Sequence, residues 1–112
     1  MIKTDLPNWV AKYVRQAFTG DCWDLVATIQ REVFGIASRR REVSGWNRVE
    51  KPREGDVIAI TIGGKPSHIG VVCAEGFFVH LLKNKSVVCS RYNSNLYRAR
   101  IHGFFRHESR LP

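Results

Sequence analysis

Gly20-Asp21-Cys22-Trp23-Asp24-Leu25-Val26 is the stretch on which the fold turns, because a polar turn gives way there to an amphipathic helix. Asp21 suits the N-cap, since a carboxylate there accepts a hydrogen bond from an otherwise orphaned backbone N–H. Cys22 then becomes the first helical residue and Asp24 the third, the arrangement of a capping box. Leu25, Val26, Ile29 and Val33 follow at helical spacing, so Cys22 lies on the apolar stripe and faces inward. Gly35 supplies the stop, with Ile36 after it for a closing hydrophobic contact. The position of the cysteine matters chemically, because a helix N-terminus favours a thiolate.

Outward from this helix, the chain before it reads as a first helix from Pro7 to about Ala17, with Trp9, Val10 and Tyr13 on the inner side. From Arg39 to Glu54 it is polar and irregular, ending in the turn Pro52-Arg53-Glu54-Gly55. Strands follow at Asp56 to Ile62, His68 to Cys73, Phe77 to Leu82, Ser86 to Cys89 and Tyr97 to Phe105. The last alternates, with Tyr97, Ala99, Ile101 and Phe105 on one face and Arg98, Arg100 and His102 on the other. Helices first and hairpin-linked strands after them predict an α+β domain spanning 1–112. Its N-terminal helices pack on one face of an antiparallel sheet of about five strands.

Two of those strands carry histidines, in Pro66-Ser67-His68-Ile69-Gly70 and in Phe77-Phe78-Val79-His80-Leu81. A three-residue Ala74-Glu75-Gly76 loop with Gly76 left-handed pairs Cys73 with Phe77 and sets Gly70 opposite His80. His68 then shares a face with His80 on the diagonal, roughly 7–8 Å away and within reach of an imidazole–imidazole bond. A two-residue Glu75-Gly76 loop would shift the register by one and put the rings on opposite faces. A thiol, a base that takes and returns its proton, and a polar group that orients the base are the components of nucleophilic catalysis. Cys22, His68 and His80 supply them in that order, and the Cys22 backbone N–H is available to an oxyanion.

Taken singly, each residue has a plainer reading. A cysteine on an apolar helix face is usually a small core hydrophobe, and a strand histidine is usually a satisfied structural one. Zinc is a poor fit to Cys22, His68 and His80, since no pair has tight ligand spacing and a fourth ligand is missing. No cofactor is called for. Cys73 falls an odd number of residues from His68 and so faces the other side of the sheet, and Cys89 reads as part of a short apolar strand. Both are expected to be packing thiols.

A net charge of +8 over 112 residues implies attraction to polyanions: nucleic acid, acidic membrane or an anionic wall polymer. The basic residues gather in Arg39-Arg40-Arg41, read as a solvated face, and from Arg91 to Arg110. No zinc-finger spacing, heptad or ribonucleoprotein motif accompanies them, so sequence-specific nucleic-acid binding is not expected. No stretch reads as a membrane span or a signal peptide, which predicts synthesis in the cytoplasm. Three cysteines is an odd count, so at least one thiol is free.

At these residues the sequence resembles the NlpC-type papain-like endopeptidases of bacterial cell walls, and within them the tail assembly and tail-tip proteins of long-tailed bacteriophages. Asp21-Cys22-Trp23 with Leu25-Val26, then Phe34-Gly35-Ile36, resembles the nucleophile helix and its exit. Pro52-Arg53-Glu54-Gly55-Asp56-Val57 resembles the turn into the first strand. Pro66-Ser67-His68-Ile69-Gly70-Val71 resembles the base motif and Phe78-Val79-His80 the third-residue motif. Ile101-His102-Gly103-Phe104-Phe105-Arg106 resembles the closing strand of the phage branch.

The resemblance implies hydrolysis of amide bonds in peptidoglycan stem peptides, typically from D-glutamate to diaminopimelate or lysine. Cys22 would be nucleophile, His68 base and His80 orienter. Trp23, Asp24, Tyr13 and Ser67 are candidates for substrate binding or for tuning the site. The implied partners are peptidoglycan and other tail-tip proteins, and the implied location is a virion tail tip assembled in the host cytoplasm and acting at the wall. Asp24 stands where the family usually has Gly or Ser. The glycine-rich approach with its tyrosine is missing, Tyr13 being a loose stand-in. Two other readings remain: a structural tail component that keeps the fold without useful turnover, and a small basic module that binds polyanions.

Overall fold

The computed structural model describes residues 6–37 and 44–111 of the chain, so the basic run Arg39 to Arg41 lies outside the described residues. Two helices, α1 (Asn8–Tyr13) and α2 (Cys22–Phe34), precede six strands: β1 (Trp46–Val49), β2 (Val57–Ile62), β3 (Lys65–Ala74), β4 (Phe77–Leu81), β5 (Val87–Arg91) and β6 (Ile101–His107). The strands form one antiparallel sheet in the order β1-β6-β2-β3-β4-β5. The α+β class and the helices on one face are as the sequence predicts, with six strands in place of about five.

α2 starts and stops where its ends dictate. The Asp24 N–H donates to Asp21 Oδ1 at 3.0 Å and the Asp21 N–H to Asp24 Oδ2 at 2.9 Å, a reciprocal capping box. Gly35 takes the left-handed conformation at φ 67°, and the Ile36 N–H closes on the Gln30 carbonyl at 2.9 Å. Leu25, Val26 and Ile29 press onto Ile69, Val71, Val79, Leu81 and Val87, forming a core between α2 and the sheet.

The opposite sheet face is also covered. Ile58, Ile60, Val72 and Phe78 make a second cluster closed by Tyr92, Tyr97, Ile101 and Phe104. Asp56, fully buried, ties β2 to the chain end. It accepts from Arg106 Nε and Nη2 at 2.9 and 2.7 Å and from the Arg53 N–H at 2.7 Å. Arg110 Nη1 adds a third cation contact at 3.4 Å, so it is removal of Asp56 that would strand the buried Arg106 charge, at a cost of about 3–5 kcal/mol.

Four sequence expectations need correction. The first helix ends at Tyr13 rather than near Ala17. Val14 is extended, and the following residues hydrogen-bond the β5 edge, with Arg15 N–H on the Val87 carbonyl at 2.8 Å and Phe18 N–H on the Lys85 carbonyl at 2.9 Å. Covering an open sheet edge outweighs one more helical turn. Within the stretch read as irregular, Trp46–Val49 forms β1. Its partner is β6, from Trp46 opposite His107 to Val49 opposite Phe104, and its outward middle residues give no alternation to read.

The strand expected from Tyr97 begins only at Ile101, because Arg98–Arg100 forms a 3-10 turn. A register shift against β2, where Ala59 faces Gly103 and Ile60 faces Ile101, then turns Phe105 toward the helix-side core. Ile101 stays on the other face with Tyr97. Tyr97, Ala99, Ile101 and Phe105 therefore do not share one face.

The β3–β4 connection is the fourth correction. Ala74 pairs with Phe77, so the turn holds two residues, Glu75 and Gly76, with Gly76 at φ 88°. A bulge at Cys73 then restores the register: Val72 faces Phe78 and Gly70 faces His80. The two-residue turn alone would have separated the histidines, and the bulged residue cancels its effect.

Candidate active site

The two histidines meet. His68 Nε2 lies 2.9 Å from His80 Nδ1, with the rings nearly perpendicular at 77°. Backbone pairing makes this possible, since His80 sits opposite Gly70 and His68 is two residues along the same face. Gly70 is needed for space. A Cβ there would stand 2.7 Å from both a Phe78 ring carbon and the Val79 carbonyl oxygen, and 3.0 Å from the His80 Cβ.

His80 is held on all sides. It is 1 % exposed, stacks on Phe78 with ring centroids 4.2 Å apart, and meets the edge of Tyr97 at 5.5 Å. Its second nitrogen, Nε2, lies 2.8 Å from Ser90 Oγ. Burial, and next the neighbouring His68, push its pKa down to about 3, so the ring is neutral in the folded protein. His68 is half-buried, and burial lowers its pKa below the ordinary histidine value.

Cys22 reaches this region from the tip of α2. Its half-buried thiol contacts the backbone carbonyl of Ser67 at 3.9 Å, beside the residue that precedes His68. With His68 Nε2 engaged by His80, Nδ1 is the nitrogen left for the thiol. A thiol at a helix start, next to a strand whose histidine is bonded to a second, buried histidine, can carry out cysteine-based acyl transfer.

The other candidates separate. Ser67 is exposed and offers the thiol its carbonyl rather than its hydroxyl. Trp23 is half-buried against the helix-side core, and Asp24 is committed to the cap of α2. Gly20, at φ 125°, makes room for that cap, since a Cβ there would stand 2.7 Å from Asp24 Oδ2. Tyr13 is not brought to the thiol. Its hydroxyl donates to Glu32 Oε1 at 2.5 Å, near the far end of α2, and ten helical residues separate Glu32 from Cys22 by about 15 Å.

Cys73 is buried in the helix-side core, as its parity predicts, and its sulfur lies 3.7 Å from that of Cys89. Donation to Cys89 and burial push the Cys73 thiol up. His102 stacks on Phe105, and His107 bonds Ser109 and meets Trp46. Among the described residues no group of three or more His, Cys, Asp or Glu is placed to hold a metal ion.

Ser90 is the contact that sequence reasoning missed. The hairpin Leu82 to Ser86 sets His80 opposite Val88, which leaves Ser90 two residues along and on the same face. Extending the register from β4 to β5 would have found it.

The α+β fold and this arrangement of a thiol and two histidines are the parts a papain-like thiol hydrolase uses. Residues 9–106 match the model of the NlpC/P60 family, and the chain belongs to that family, whose members are typically cysteine peptidases of the bacterial cell wall. No curated protein matches the chain.

Proposed function

We propose that the protein is a cysteine peptidase that hydrolyses amide bonds in peptidoglycan stem peptides, at the bond from D-glutamate to diaminopimelate or lysine. The observation that carries this reading is the 2.9 Å contact between His68 and the buried, neutral His80, with the Cys22 thiol against the adjoining Ser67 carbonyl. His68, kept proton-free at neutral pH by burial, takes the Cys22 proton on Nδ1. The thiolate adds to the amide carbonyl, and the Cys22 backbone N–H at the start of α2 serves the developing oxyanion. His68 returns the proton to the departing amine, and a water molecule then releases the acyl group by the same route. The charge of +8 favours approach to an anionic wall.

We place the protein in a phage tail tip, a reading supported by the likeness of Ile101 to Arg106 to the closing strand of tail-tip members. The test of the chemistry is digestion of purified muropeptides with mass spectrometry of the products. New amines at diaminopimelate or lysine, abolished in Cys22→Ala, are expected. An intact stem peptide after prolonged incubation with reduced, folded protein would favour the structural tail component instead. The phage placement fails if antibody to the protein does not label tail particles.

A further inference from the structure

Among the described residues, the side chain that bonds the histidine pair is Ser90, on β5 opposite Phe78, whose Oγ lies 2.8 Å from His80 Nε2. We propose that Ser90 is a positioning residue that accepts the His80 Nε2–H and thereby holds His68 in the tautomer able to take the thiol proton. This rests on the reading of His68 as base, and it concerns how that base is set.

A neutral imidazole has one N–H and one acceptor nitrogen. His80, buried and neutral, has therefore a single proton to place. With that proton on Nε2, its Nδ1 is an acceptor, and His68 must donate Nε2–H across the 2.9 Å contact. His68 Nδ1 then carries a free lone pair. With the His80 proton on Nδ1 instead, His68 Nε2 becomes the acceptor and the His68 hydrogen moves to Nδ1, where it blocks proton uptake.

Ser90 decides the matter because the far end of His80 is buried between Phe78 and Tyr97. A buried N–H without an acceptor is among the rarest arrangements in folded proteins, rarer than an acceptor left unfilled. Without the hydroxyl, the Nε2–H form of His80 loses its acceptor and the blocked form gains population. The half-buried hydroxyl can turn its own hydrogen outward while accepting. In the reaction the Cys22 proton moves to His68 Nδ1 and its electron pair stays on sulfur. No proton passes to His80 or Ser90.

The experiment uses ring-15N-histidine-labelled protein and long-range 1H–15N correlation spectra near neutral pH, together with the iodoacetamide rate at Cys22. Neither needs a wall substrate, so failure of the peptidoglycan reading and failure of this one are separate outcomes. The wild-type spectrum should show both His68 and His80 as Nε2–H. Ser90→Ala should shift both toward Nδ1–H and slow Cys22 alkylation by about tenfold, the worth of one hydrogen bond. Ser90→Thr, which keeps a hydroxyl, should restore both signals. A wild-type His80 found as Nδ1–H overturns the proposal with no variant needed. Unchanged tautomers and alkylation in folded Ser90→Ala overturn it as well.

Discussion

Three cysteines of one chain meet two kinds of surroundings, and the contrast separates chemistry from packing. The Cys22 thiol, at a helix tip, lies against the carbonyl beside His68, whose ring is backed by a second imidazole and then a hydroxyl. Cys73 and Cys89 lie on the helix side of the sheet, on strands separated by β4, and each thiol has the other for a partner. A sulfur becomes a useful nucleophile beside a neutral base that can take its proton. A second sulfur in that place drives its partner the other way and leaves Cys73 holding its proton. The two sulfurs are in contact but unbonded, 3.7 Å apart against about 2.05 Å in a disulfide.

The sharpest way to break this contrast is to take the base from one region and a thiol from the other. His68→Ala should cut muropeptide turnover by about 10²–10⁴-fold, while Cys89→Ser should keep the turnover of the unaltered protein. Equal losses in both would mean that the two regions are not distinct. Gly70→Ala tests whether β3 and β4 must touch at His80. Overpacking there should cost about 1–3 kcal/mol in thermal unfolding and pull the imidazoles apart, with turnover falling beyond what the lost stability explains. A variant that stays fully active and stable would show that β4 shifts freely.

Thiol labelling ranks the regions directly. Iodoacetamide at neutral pH should modify Cys22 ahead of Cys89 and leave Cys73 last, as peptide mapping at short times would show. Preferential labelling of Cys73 would reverse the assignment. The smallest effect is one of pH. His80 is held below its ordinary value, so the unfolded chain takes up that proton first. Its contribution to stability is full above about pH 6.5 and is lost as the pH falls toward 3, at about 1 kcal/mol per pH unit. His80→Gln should therefore have a flatter decline in melting temperature between pH 6.5 and 4. A decline as steep as before would place the buried proton elsewhere.

What the sequence made legible is what depends on near neighbours. The cap at Asp21 and Asp24, the stop at Gly35, and the facing of His68 and His80 all follow from spacings of a few residues. The parts that escaped depend on distant pairings. β1 exists because β6 offers it a partner more than fifty residues away, and Trp46 to Val49 carries no period of its own. The Arg98–Arg100 turn interrupts an alternation that would have suited a strand. The facing of the histidines was anticipated through a three-residue loop, and it arises from a two-residue turn compensated by a bulge. Tyr13 was lost to the site because its hydroxyl is claimed by Glu32.

That bulge separates two things asked of residue 73, a place in the strand and a place in the core. The sulfur of Cys73 takes no part in the site, so its identity is open to exchange for another small apolar group. Its place in the count is open as well. With residue 73 removed, Ala74 still faces Phe77 across the two-residue turn and Val72 still faces Phe78, so Gly70 stays opposite His80. What would carry His68 to the other side of the sheet is a regular ladder at the present length, with Cys73 facing Phe78 and Val71 facing His80. The kink, and not the letter that makes it, keeps the two imidazoles on one side.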